Sequence, residues 1–162
     1  MKIGVIADTH IPNRADAIPQ EILESFKEVD MIIHAGDLVE LSVLDKLKSA
    51  CKNVKAVWGN MDSYEVRKKI PEKEILKIGN YTIGIIHGYG HPNKVIELVT
   101  KEFKDDFVNV IIFGHLHSGV NEKIGDILYF NPGSPTDKIY STYNSYGIIE
   151  INDKIEARII RI

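Results

Sequence analysis

The chain has a single cysteine, Cys51, among 162 residues. One thiol forms no internal disulfide, so the fold has to rest on an apolar core, as suits a reducing cytoplasm. An excess of charge of one sign is also missing. Twenty Lys and Arg against 23 Asp and Glu leave a formal charge of −3. That balance argues against long nucleic acid as a partner and offers no basic face to an anionic membrane, while leaving a small phosphate-bearing substrate open. No apolar run approaches the roughly 18 residues of a membrane span. The first such stretch meets Asp8 too early for a secretory leader. A cytoplasmic chain without membrane association is the expectation. Glycine (12) and proline (6) are too few and too scattered for a linker or low-complexity tract.

Forty-four per cent hydrophobic and 27% charged residues are ordinary for a globular domain, which excludes disorder and fibrous repeats. The length suits one domain, residues 1–162, burying roughly two-thirds of its unfolded surface. Lysine (16) far outnumbers arginine (4) beside 12 glutamates. This bias fits either a hyperthermophile surface or an AT-rich genome.

Lys2–Ala7, Val29–His34 and Lys52–Trp58 are short apolar runs and predict strands. Between them, Pro19 opens a helix to about Glu28 on the stripe Ile22, Leu23 and Phe26, and Leu41–Ala50 repeats Leu and Val at helical spacing. This half reads as parallel strands with helical crossovers. In the second half, Glu72–Ile78 and Tyr81–His87 flank Gly79-Asn80 as a hairpin. Pro92 to about Phe103 reads as a helix and Val108–Phe113 as a buried strand. Val120–Ile124, Ile127–Phe130, Tyr146–Ile151 and Ile155–Ile160 follow as four short strands joined by turns. A purely doubly wound sheet does not end that way. The expected fold class is α/β (α+β): two packed mixed β-sheets, a sandwich flanked by α-helices.

The polar residues gather where apolar runs end. Strand ends deliver Asp8-Thr9-His10, Gly36-Asp37, Gly59-Asn60, His87-Gly88 and Gly114-His115-Leu116-His117. In open α/β sheets ligands bind outside the carboxyl ends of the strands. Imidazole, carboxylate and amide oxygen together suit Mn²⁺, Fe²⁺, Zn²⁺ or Ni²⁺. Seven donors (Asp8, His10, Asp37, Asn60, His87, His115 and His117) are too many for one tetrahedral site but suit two cations sharing a bridge. Extended backbone would aim residues i and i+2 alike, so that Asp8 and His10, and His115 and His117, enter one cleft. Any one such histidine or aspartate is more often a plain hydrogen-bonding, turn or capping residue. Five endings of this kind are hard to reach by accident.

These blocks, in this order and over most of the chain, resemble the signature of the calcineurin-like metallophosphoesterases. The small size, His34-Ala35-Gly36-Asp37 and the late Asn131-Pro132-Gly133-Ser134 look most like the small microbial phosphodiesterases of the YfcE type. The resemblance implies a dinuclear site with Mn²⁺ foremost. Asp8, His10 and His117 would hold one cation, Asn60, His87 and His115 the other, and Asp37 would bridge. A hydroxide shared by the cations would attack the phosphorus of a small phosphodiester in line, and Asn60 would also donate its amide N–H to the phosphate. A nuclease or a small-metabolite phosphatase is the neighbouring alternative. The other is a protein-binding scaffold like the retromer subunit of this fold. A homodimer is the family's habit.

One position departs from the superfamily. Where many members carry a histidine after the asparagine, proposed to protonate the leaving group, this chain has Met61. His10 is a weak substitute, since a cation would occupy one of its nitrogens. Asp62 has capping-box spacing with Glu65 and reads as a helix cap rather than an acid. His34, inside a strand, reads as a structural hydrogen-bonding residue. His91 suits either the substrate mouth or the start of a helix, Asn13 and Arg14 lie on the loop after Asp-x-His, Ser134 reads as a turn residue, and Arg67-Lys68-Lys69 reads as a solvated face.

Overall fold

A computed structural model describes residues 1–162. The β-branched runs become strands and the amphipathic stretches pack over them. Strands β1 (Lys2–Ile6), β2 (Met31–Ala35) and β3 (Val54–Val57) alternate with helices α1 (Gln20–Phe26) and α2 (Ser42–Ala50). A short helix α3 (Tyr64–Lys69) leads to the hairpin β4 (Lys73–Ile78) and β5 (Tyr81–Ile86). Then come α4 (Val95–Glu102), β6 (Val110–Ile112), the hairpin β7 (Val120–Ile124) and β8 (Ile127–Asn131), and the hairpin β9 (Ser145–Ile151) and β10 (Ile155–Arg161).

The strands form two mixed five-stranded sheets, ordered β10-β9-β1-β2-β3 and β4-β5-β6-β8-β7. β1, β2 and β3 run parallel, as do β5, β6 and β8, while each hairpin adds antiparallel strands at the edges. The four late strands, joined by turns, part between the sheets: β7–β8 closes the second sheet and β9–β10 the first. The helix expected from Pro92 begins as a 3₁₀ turn, Pro92–Lys94, and becomes α-helical only at Val95. His91 caps that turn, its Nδ1 accepting the Asn93 N–H.

Side-chain alternation along the strands sorts the core into layers. Ile3, Val5, Ile33, Ala35 and Val57 face Ile83, Ile85, Val110, Ile112 and Phe130 between the sheets. Ile6 and Ile32 face the other way, toward Ile22, Phe26, Val43 and Leu47 of the helices outside the first sheet. Val95, Val99 and Phe103 cover Ile111, Phe113 and Tyr129 on the far side of the second. This is an α/β/β/α sandwich.

His34, fully buried on β2, is held as a neutral ring. The Gly36 N–H donates to its Nδ1 at 3.2 Å, so Nε2 carries the proton and donates to Thr9 Oγ1 at 3.0 Å. Burial pushes its pKa down to about 3. Because the folded value lies below the unfolded 6.5, stability is complete above pH 6.5 and falls as the pH drops toward 3. Between pH 7 and pH 4.5 this ring removes about 3 kcal/mol. Urea unfolding of metal-free protein at the two pH values should show His34→Gln losing less stability than wild type by about that amount; equal losses would refute the assignment.

Candidate metal centre

Loops from both sheets meet at one rim. Asp8 N–H donates to the Gly36 carbonyl and His10 N–H to the Asp37 carbonyl, both at 3.0 Å, lacing the loop after β1 to the loop after β2. The Gly114 N–H donates to the His87 carbonyl, joining the loops after β6 and β5. The His87 Nδ1–H reaches across to the Ala35 carbonyl at 2.8 Å and ties one sheet to the other.

Within this frame Asp8, His10, Asp37, His87 and His117 are all buried. One ligand atom from each of Asp8, His10 and His117 lies within 4.8 Å of the others, and so it is for Asp8, Asp37 and His87. Asp8 Oδ1 stands 3.5 Å from His117 Nε2, 3.8 Å from His87 Nε2 and 3.9 Å from His10 Nε2. Asp37 Oδ2 stands 3.3 Å from His87 Nε2 and 3.7 Å from His10 Nε2. Both carboxylates thus touch rings of both sets. His115 and Asn60 lie outside these two groups and beside them: His115 Nδ1 faces Asn60 Oδ1 at 3.1 Å, and the two rings His87 and His115 meet edge to face.

Backbone conformation aims these side chains. Extended alternation was the expected device, and it is not the one used. Asp8 (φ 53°), His10 (43°), Asp37 (57°), His115 (71°) and His117 (57°) all adopt the left-handed region; Val39 (78°) is the one other non-glycine residue to do so. Each such residue costs on the order of 1–3 kcal/mol, and Asp and His tolerate the region better than most. Gly59 answers a different need. A Cβ there would sit 2.2 Å from Asp37 Oδ1, so only glycine lets the third loop approach that carboxylate.

Three residues that sequence reading placed otherwise hold these loops. Asp62 does not cap α3. Ser63 caps α3, whereas the buried Asp62 carboxylate accepts N–H bonds from Val39 (2.6 Å), Gly59 (2.7 Å) and Asp37 (3.0 Å). Arg67 does not merely face solvent: it stacks over Trp58 and donates to the Asn60 and Asp62 carbonyls at 2.8 and 3.0 Å. Ser134 is more than a turn residue, since its Oγ donates to the Asp8 carbonyl at 2.7 Å. A fourth, Asp137, drew no attention in the sequence. Its carboxylate takes the His117 Nδ1–H at 2.8 Å and Arg14 at 3.0 Å.

The electrostatics fit a cation site. Burial raises Asp8 to about 6 and lowers His10 to about 4. Burial also acts against charge on His87, but the Asp37 and Asp8 carboxylates outweigh it and lift the ring to about 9. Burial pushes Asp37 upward, yet His87 and the Met61 N–H hold it below the usual carboxylate range. His87 Nε2 is buried without a hydrogen-bond partner, Asp37 being too poorly aligned to serve. With Nε2–H of His115 given to the Gly90 carbonyl at 2.9 Å, its Nδ1 and Asn60 Oδ1 meet as two acceptors. A divalent cation satisfies each of these groups. A cleft of about 680 Å³ opens over them, with Asn13, Arg14, Met61, Pro92 and Tyr140 on its walls.

Residues 1–154 match the calcineurin-like phosphoesterase superfamily domain. The chain belongs to that superfamily. Within it, a probable metallophosphoesterase of Methanocaldococcus jannaschii is 41% identical, over 100% of this chain and 82% of its own length. A phosphodiesterase of the same organism is 34% identical over 82% of this chain and 83% of its own. Among solved structures, Vps29 of Entamoeba histolytica complexed with Zn²⁺ superposes with a TM-score of 0.77, covering 99% of each chain at 25% identity. No helix of this calcineurin-like phosphoesterase is long and apolar enough to cross a membrane.

Replacing Asp62 by Ala leaves two buried N–H groups and a half-buried one without an acceptor and should lower stability by about 2–4 kcal/mol in urea unfolding. Asp62→Asn keeps an acceptor oxygen and should lose less. Equal, small losses would show that this carboxylate does not hold the loops.

Proposed function

We propose that the chain is a metal-dependent phosphodiesterase acting on small phosphodiesters in the cytoplasm, with two divalent cations side by side at the rim. Mn²⁺ is the foremost candidate and Ni²⁺, Fe²⁺ or Zn²⁺ the alternatives. The observation that carries this reading is the buried, unpartnered Nε2 of His87 facing the carboxylates of Asp8 and Asp37. The similarity to a phosphodiesterase and to a Zn²⁺-bound Vps29 supports it. Asp8, His10 and His117 would hold one cation and Asn60, His87 and His115 the other, with Asp37 shared. Asp8 Oδ1, within reach of rings from both sets, crowds the same midpoint.

Bound there, the cations supply an activated water and neutralise charge on the phosphate oxygens. The chain's own residues do the rest. The cleft admits one small diester at the exposed edge formed by Asn60 and His115. The Asn60 side-chain N–H donates to a phosphate oxygen. At the position where the superfamily carries its acid, Met61 cannot give a proton, and His10 has its Nε2 turned into the ligand cluster. The leaving group must depart unprotonated, so good leaving groups react and poor ones lag. A net charge of −3 and the lack of a basic face favour a small diester over long nucleic acid.

A second reading, a protein-binding scaffold, has the structural likeness to Vps29 in its favour. Assays with added Mn²⁺, Ni²⁺ or Zn²⁺ on bis-aryl phosphate, cyclic nucleotides, alkyl monoesters and single-stranded DNA separate the readings. The aryl diester should be hydrolysed fastest, and Asp37→Ala should lower kcat/KM at least about 100-fold by removing the shared carboxylate. Hydrolysis of none of these with any metal would favour the scaffold; equal rates on aryl diester and alkyl monoester would refute the missing-acid argument.

A further inference from the structure

An imidazole facing the cluster is a better ligand when its other nitrogen is committed, because a ring free to change tautomer presents a proton instead of a lone pair part of the time. His87 gives Nδ1–H to the Ala35 carbonyl and His115 gives Nε2–H to the Gly90 carbonyl. His117 is treated differently. Its Nδ1–H goes to Asp137 Oδ2 at 2.8 Å, a carboxylate whose side chain is wholly buried. Burial pushes Asp137 upward, but the hydrogen bonds from His117, Ile139 and Tyr140 hold it below the usual carboxylate range.

The carboxylate is itself fixed. Ile139 N–H donates to Oδ1 at 3.0 Å, Tyr140 N–H to Oδ2 at 2.9 Å, and Arg14 to Oδ1 at 3.0 Å. Arg14 lies over the Tyr140 ring, and that ring packs edge-on against His117. The carboxylate therefore cannot swing away from Nδ1 without breaking four contacts. The other face of the same ring points Nε2 at His10 Nε2 (3.1 Å) and Asp8 Oδ1 (3.5 Å).

We infer that Asp137 is a positioning residue that locks His117 as the Nδ1–H tautomer and so delivers its Nε2 lone pair to the cation shared with Asp8 and His10. The inference rests on the metal reading above. It gives His117 the one charged orienting partner among these rings, and a carboxylate makes an imidazole a stronger donor than a carbonyl does.

Two measurements test it. Long-range ¹H–¹⁵N NMR of metal-free protein should show His117 as the Nδ1–H tautomer in wild type and in Asp137→Asn, whose side-chain oxygen still accepts, and should show that preference lost in Asp137→Ala. Calorimetric titration with Mn²⁺ should show one of two binding events weakened about 10–100-fold in Asp137→Ala and largely restored in Asp137→Asn. A wild-type His117 protonated on Nε2 would overturn the inference, and so would Asp137→Ala binding Mn²⁺ within twofold of wild type. The wild-type tautomer decides the matter even if the alanine variant fails to fold. Wild type that takes up no Mn²⁺ but keeps the Nδ1–H tautomer would overturn the metal reading and the delivery to a cation, leaving the lock itself in place.

Discussion

Two buried carboxylates and three buried imidazoles confront one another at 3.1–3.9 Å across one rim of the sandwich. Everything around them serves that crowding. Gathering carboxylates out of water costs free energy, visible in Asp8, which burial lifts to about 6, and the His87 ring offsets part of it by holding charge. Such a cluster is poor design for stability alone, because replacing it with apolar groups would be as stable or more so. Its chemistry is that of a cation site.

The strain has the same origin. Five left-handed Asp and His residues cost free energy that no core packing at the rim returns directly. The loops are held by long-range hydrogen bonds instead: Asp62 to three N–H groups, Ser134 to the Asp8 carbonyl, Arg67 to the carbonyls of Asn60 and Asp62. A rigid sandwich beneath them makes the arrangement sustainable, since β1, β2, β5 and β6 have their apolar residues almost wholly buried.

Much of this was legible in the residues. Apolar runs marked the strands, and the polar tails after them marked the rim, because a strand buried on both faces has nowhere but its end to present a carboxylate or ring. The limits are equally physical. Strand alternation suggested that Asp8 and His10 converge through extended backbone, whereas the chain turns left-handed at both; a pattern of residue types does not report φ. Asp62 resembles a cap because its local spacing is that of one, yet two of its three N–H partners lie 23 and 25 residues away in the Asp37 loop. Asp137 is 20 residues from His117 and 123 from Arg14, with no local pattern to betray either contact. Local chemistry and the strand ends that carry it are readable from sequence; single long-range partners such as these are not.

The central claim concerns what occupies the crowded rim, and anomalous diffraction from Mn²⁺-soaked crystals tests it most directly. The account requires two peaks roughly 3.5–4 Å apart, one beside His10 and His117 and the other beside His87 and His115, with the Asp37 carboxylate between them. Peaks elsewhere on the molecule, or a rim that stays without anomalous signal at saturating Mn²⁺, would contradict it.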